Sequence, residues 1–296
     1  MQKLKRLRKL YAFKQKDIAD MLGVTTKIIK EWESNKSVPE LKVLRDLAVI
    51  FGTSTYDLLY DESITTTIYT PWNTDKTIDS FWGHIGILLY NSNFIKWFPI
   101  TESTAKRIES ALINSEFDEQ NNILSVSTLN NRLLTINKDI IKKISLLDDA
   151  SDAPKDWELP WDGYQGLGSE EYYNLIEEYF WNYEHFCQNT SENLQNRVNQ
   201  IIHEQKIYED NIDELFNDVY IYFHDNTIET ITIESSEALI DSLIDIDIIS
   251  SKFIKFLDIN QEIHLVPINS IGLIDAPLNL YKQGYYNLYQ DELLAI

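Results

Sequence analysis

Cysteine occurs once in the 296 residues, at Cys187, which excludes an internal disulfide and any cysteine-cluster zinc site. Glycine is scarce, nine in all, and the chain holds no Walker-type loop, no dinucleotide fingerprint and no G-x-S-x-G elbow. The five histidines, His84, His185, His203, His224 and His264, never fall at HxxxH or HExxH spacing. No apolar run approaches the length of a membrane span and no signal-peptide pattern opens the chain, which predicts a soluble, cytoplasmic protein without membrane contact. The expectation is a binding protein and not an enzyme, with no catalytic residue, no metal and no cofactor.

What is present has a strong polarity. Residues 1–60 carry 12 Lys and Arg against 7 Asp and Glu, while the remainder carries 14 against 40. A head of net +5 therefore precedes a body of net −26, consistent with the overall −21. Such a body is repelled by DNA and by anionic membranes, so polyanion contact is expected at the head alone. Hydrophobic residues at 44% and aromatics at 12% exclude general disorder, and the length suits two or three domains.

Within residues 3–59, apolar residues recur at helical spacing in five short blocks punctuated by Gly23, Pro39 and Gly52. Gln15-Lys16-Asp17-Ile18-Ala19 leads through Gly23-Val24-Thr25 to Ile29 and Trp32, which reads as helix, tight turn, helix. Gly23 suits the sharp turn because glycine takes positive φ without a Cβ penalty. Ala19 is small enough for a close helix crossing, and Ile18, Leu22, Val24 and Ile29 supply its apolar side. Thr25 is placed to cap the third helix. Ser54 is placed to cap the fifth, with Asp57 in a loose capping-box position.

These residues resemble the Cro and lambda-repressor-like (Xre-like) helix-turn-helix family over about the first fifth of the chain. The resemblance implies double-stranded DNA as partner, with Thr25, Thr26, Lys27, Ile28 and Lys30 on the groove-facing helix. Gln15 would anchor a phosphate or support that helix. Lys36, with Lys3, Lys5, Arg6 and Lys42, is a candidate for the DNA backbone. Two positions depart from the family. Lys14 stands where Ser or Thr usually caps the second helix, and could reach a phosphate instead. Glu31 stands where a basic or neutral residue is commoner, and a pair with Lys27 four residues away is the favoured reading.

Residues 61–80 read as a linker. Period-2 alternation then begins, and an internal repeat follows. Strands over 83–90 and 94–100, a helix from Thr101 or Ser103, and strands over 123–129, 133–137 and 140–147 make one ββαβββ order. The same order returns later in the chain, over 219–223, 228–233, 235–243, 253–259, 263–266 and 268–274. IKWFPITES matches IETITIESS, LNNRLLTI matches INQEIHLV, and ISLLDDA matches IGLIDA. Between the copies, a Pro, Gly and Trp-rich loop precedes one long amphipathic helix over 169–205. Its aromatic face is expected to pack on the sheets or a second subunit, with a ligand pocket as the sharper reading.

The fold expected is an all-α N-terminal helix-turn-helix domain of five helices, then an α+β body with two copies of a ββαβββ-like unit joined by a long helix. The boundaries expected are 1–60, a linker at 61–80, 81–150, 151–217 and 218–296. The function expected is a sequence-specific transcriptional regulator, a repressor by analogy, acting as a homodimer. Its body would serve oligomerisation, a protein partner or a small ligand. The alternative is an antitoxin or immunity-type protein whose acidic body binds a basic partner while the head regulates its own operon.

Overall fold

The computed structural model describes residues 2–59, 81–113, 122–151, 166–244 and 252–294. Five helices come first: α1 (Gln2–Leu10), α2 (Gln15–Leu22), α3 (Thr26–Glu33), α4 (Leu41–Ile50) and α5 (Thr55–Leu59). Their apolar stripes share one core of Leu4, Ile18, Ala19, Ile29, Trp32 and Phe51, among others. Gly23, with φ at 66°, makes the link from α2 to α3. A Cβ there would meet nothing within 4 Å, so backbone conformation alone selects glycine. The Thr25 hydroxyl accepts the Ile28 N–H at 3.4 Å. The Ser54 hydroxyl accepts the Asp57 N–H at 3.2 Å, the expected cap of α5. The Asp57 carboxylate accepts instead from the Thr53 hydroxyl at 2.9 Å.

Strands follow where alternation places them: β1 (Phe81–Leu89), β2 (Lys96–Thr101), then α6 (Glu102–Ile113), β3 (Ile123–Ser127), β4 (Arg132–Asn137) and β5 (Ile141–Asp148). Thr101 closes β2 and caps α6 by accepting the Thr104 N–H at 3.2 Å. The long helix expected over 169–205 is instead three: α7 (Glu170–Trp181), α8 (Tyr183–Asn189) and α9 (Glu192–Gln205). Asn182 leaves helical geometry and accepts the His185 N–H, and Ser191 accepts the Leu194 N–H to start α9. Unbroken apolar periodicity concealed these two polar start signals.

The rest comprises α10 (Ile212–Phe216), β6 (Asp218–Phe223), β7 (Ile228–Thr232), α11 (Ser236–Leu243), β8 (Phe253–Leu257), β9 (Ile263–Pro267), β10 (Ile271–Pro277) and α12 (Leu278–Leu294). Neither α10 nor α12 is among the expected elements. Gly284 breaks the helical pattern of α12 in sequence, yet a Cβ there would lie 2.3 Å from the Ser236 carbonyl of α11. The glycine permits a close helix contact.

The chain divides into two compact units, each built from two stretches. One contains Met1–Ser80 with Leu167–Ile207, the other Phe81–Gly166 with Tyr208–Ile296. Residues 167–207, read from sequence as a connection between copies, thus belong with the head. The linker at 61–80 and most of the Trp-rich loop lie outside the described residues.

In the second unit, all strand pairings are antiparallel and give the orders β2-β1-β5, β3-β4-β10-β6-β7 and β8-β9. The β3–β4 hairpin thereby joins strands from the two ends of the unit into one sheet. A core of Ile85, Ile87, Phe98, Ile108, Val126 and Leu273, with others, fills the space between the first two sheets and α6. Arg132 secures the junction. Its guanidinium pairs with Asp275 and donates to the Glu214, Asp218 and Asp275 carbonyls at 3.1, 2.8 and 2.7 Å.

Candidate nucleic-acid interface

One side of α3 is buried through Ile29, Trp32 and Glu33, while Thr26, Lys27 and Lys30 are exposed, as is its capping residue Thr25. Ile28 lies between these faces, half-buried against the head core, so only part of its side chain is presented outward. The Lys27 ammonium lies 3.9 Å from the Glu31 carboxylate, the intrahelical pair expected from their spacing. Both groups are solvated, and either can turn to another partner at little cost. Lys36 is exposed just beyond α3.

Other candidates are placed differently. Gln15 donates to the Glu33 carboxylate at 2.7 Å, which makes it a support of α3. Lys14 is exposed and extended at the start of α2, and an ammonium cannot accept the helix N–H groups. Asp17 compensates in part by accepting the Lys14 backbone N–H at 2.6 Å. Lys3, read as a backbone contact, is buried, with its ammonium 3.8 Å from the Asp57 carboxylate. Lys3 therefore serves the core and does not face DNA.

Glu33 is the residue that sequence reading missed. The Arg8 Nε and Nη2 both donate to its carboxylate, which Gln15 also reaches, so the end of α3 is tied to α1 and α2. Burial pushes the Glu33 carboxyl up, but the hydrogen bonds from Arg8 and Gln15 outweigh it and hold it below the ordinary value. The available signal was a carboxylate one position after Trp32, in a head rich in cations.

A second polar joint holds the back of the head. Arg45 of α4 is buried. It pairs with Glu178, lies 3.5 Å from the Glu171 carboxylate and donates to the Thr190 hydroxyl at 2.9 Å. The Glu171 carboxylate also accepts the Thr55 N–H at 2.8 Å, which caps α5 from a segment distant in sequence. Ser169 donates to the Thr53 carbonyl at 2.7 Å, and Ser191 to the Asp46 carboxylate at 2.6 Å. Burial pushes the Glu171 carboxyl up to about 7, against the downward pull of Thr55 and Arg45. Tyr173, Leu175 and Ile176 of α7 are buried in the head's own unit, while its other aromatics are half-buried or, at Trp181, exposed.

Several other ionisable groups have structural roles. Asp275 is engaged by Arg132, and Asp148 accepts the Ala150 N–H in a turn at 2.7 Å. His84 is buried within β1 and His224 stands at the β6–β7 turn. Among the described residues, Asp258, Glu262 and His264 bring ligand atoms within 4.8 Å of one another. Asp258 already accepts the N–H groups of Asn260 and Glu262, at 2.9 and 2.7 Å, as a turn residue does. Among the described residues, no helix is long and apolar enough to cross a membrane.

A helix held at both ends over a glycine turn, with cations and threonines facing out, defines the head as a helix-turn-helix domain, a DNA-binding class. Residues 1–63 match the family model described as a helix-turn-helix domain. The chain matches no curated protein and no solved structure.

Proposed function

We propose that the protein is a sequence-specific DNA-binding regulator of the Cro and lambda-repressor-like kind, acting as a dimeric repressor. The observation that carries this reading is the division of α3, whose Ile29 and Trp32 are buried while Thr26, Lys27 and Lys30 are exposed. Lys27 and Lys30 can donate to guanine edges or phosphates, and Thr26 to either. One such head neutralises few phosphates, so useful affinity needs two, set about 34 Å apart on DNA. Repression is favoured because occupying a promoter requires nothing beyond binding.

The second unit is read as two copies of one ββαβββ unit. Both stretches run strand, strand, helix, strand, strand, short 3-10 turn, strand. Ile123 pairs with Asn137, and Phe253 with Pro267. Asn131 and Gln261 both take positive φ. Leu129 and Ile259 donate equivalent N–H groups to the preceding hairpins. One constant offset in sequence carries every one of these positions in the β3–β4 hairpin onto its counterpart in β8–β9.

The test of the regulatory reading is DNA binding by the full chain to random and genomic fragments over a salt series. Specific, steeply salt-dependent binding that is lost in a Lys27→Ala, Lys30→Ala double variant is expected. Equal affinity of that variant and the parent for every fragment would refute it.

A further inference from the structure

Two hairpins of the second unit make the same turn with different side chains. In β3–β4 the Thr128 N–H donates to the Arg132 carbonyl at 2.9 Å, and in β8–β9 the Asp258 N–H donates to the Glu262 carbonyl at 3.0 Å. The Thr128 hydroxyl accepts the Arg132 N–H at 3.0 Å, where Asp258 Oδ1 accepts the Glu262 N–H at 2.7 Å. Asn131 and Gln261 both take positive φ. Leu134 faces Val126 across the first hairpin as His264 faces Phe256 across the second. Such a turn therefore needs one acceptor oxygen, but neither a histidine nor a second carboxylate. The Glu262 carboxylate, the His264 imidazole and the second oxygen of Asp258 are surplus to it.

These surplus groups converge. Ligand atoms of the three residues lie within 4.8 Å of one another. The Nε2 of His264 is buried and makes no hydrogen bond. It stands 3.6 Å from Asp258 Oδ2, too far for a hydrogen bond. Two ligand atoms on a tetrahedral zinc ion, each bonded at about 2.0–2.2 Å, are separated by about 3.4 Å. Oδ2 accepts from the Asn260 side chain at 3.3 Å and keeps lone-pair capacity for a metal. The other imidazole nitrogen, Nδ1, lies 3.5 Å from the Glu229 carboxylate of β7. A carboxylate in that place keeps the proton on Nδ1 and leaves Nε2 free to ligate. Among the described residues, no lysine or arginine pairs with Glu229, Asp258 or Glu262.

We propose that Asp258, Glu262 and His264 bind a divalent transition-metal ion of the zinc type, with Glu229 as the positioning residue behind His264. An imidazole among the ligands favours zinc over magnesium or calcium, which take oxygen donors. Three protein ligands leave the fourth position to water. The ion would tie β9 to the turn that precedes it, beside β7. The site lies in the second unit and is independent of DNA binding by the head.

The test uses the full chain without DNA, stripped with a chelator, returned to metal-free buffer and titrated with zinc in a calorimeter. A single zinc ion per chain is expected, with a higher melting temperature when zinc is present. Asp258→Asn keeps an acceptor oxygen for the turn, and His264→Leu installs the residue that the β3–β4 hairpin has at that place. Each should weaken zinc binding by at least about tenfold with an unchanged circular dichroism spectrum. Glu262 is exposed, so Glu262→Gln probes the same site without disturbing the core. Glu229→Gln should lower affinity by about tenfold and leave the stoichiometry at one. No zinc binding by the parent chain, or equal affinity in the parent, Glu262→Gln and His264→Leu chains, would overturn the proposal.

Discussion

Glu171 and Glu33 are both buried beside an arginine, yet burial prevails at one and hydrogen bonding at the other. The folded chain holds the Glu171 proton more tightly than the unfolded chain does, so this group makes stability fall as pH rises from 4.5 to about 7. The Glu33 carboxyl is lowered from 4.5, so its contribution is present above that value and is lost as pH falls below it. Thermal melts should therefore show declining stability between about pH 5 and pH 7, and Glu171→Gln should flatten that slope. Glu33→Gln should remove part of the loss on the acid side. Arg132 has one ion-pair partner and three carbonyl acceptors in the other unit, so Arg132→Ala should destabilise it by about 3–5 kcal/mol in urea unfolding.

Turns decide which elements can form. Gly23→Ala puts a Cβ into the left-handed region and should cost about 1–2 kcal/mol, with a matching drop in melting temperature and no steric clash. Strands, and the caps at Thr25 and Ser54, were legible in sequence. Each follows from local rules of alternation and capping. The break at Asn182 was written in the same local code but hidden by continuous aromatic periodicity. Gly284 is the opposite case, because its close contact with α11 is a property of two helices and no local rule marks it. Which strands pair across the second unit was illegible, since every one of them alternates equally well. The exposed lysines of α3 followed from family resemblance together with a one-sided apolar stripe. The acid that holds that helix, Glu33, did not, because its partners come from α1 and α2.

At the scale of the whole molecule, charge is divided along the chain, net +5 in residues 1–60 and net −26 in the remainder. Contact with DNA confined to the net +5 head predicts a shallow salt slope for a single head and roughly twice that for a dimer. The double variant Lys27→Ala, Lys30→Ala should reduce the slope by about two per head, read from log affinity against log salt. The head also relies on chain outside its family match. Residues 1–63 alone leave Arg45 without Glu171, Glu178 and Thr190, and leave α5 without its distant cap. That fragment should melt well below the full chain's first unit, because it lacks the partners of Arg45 and the distant cap of α5.

Arg45 is separated from Glu178 by 133 residues, so on the ribosome the head emerges long before its partners. At ordinary elongation rates that interval is on the order of ten seconds. During it the five helices exist without the segment that satisfies Arg45, and strands β1 to β5 are made in between. Until that segment arrives Arg45 has no carboxylate partner, so the first unit closes only after β1 to β5 of the second have been made.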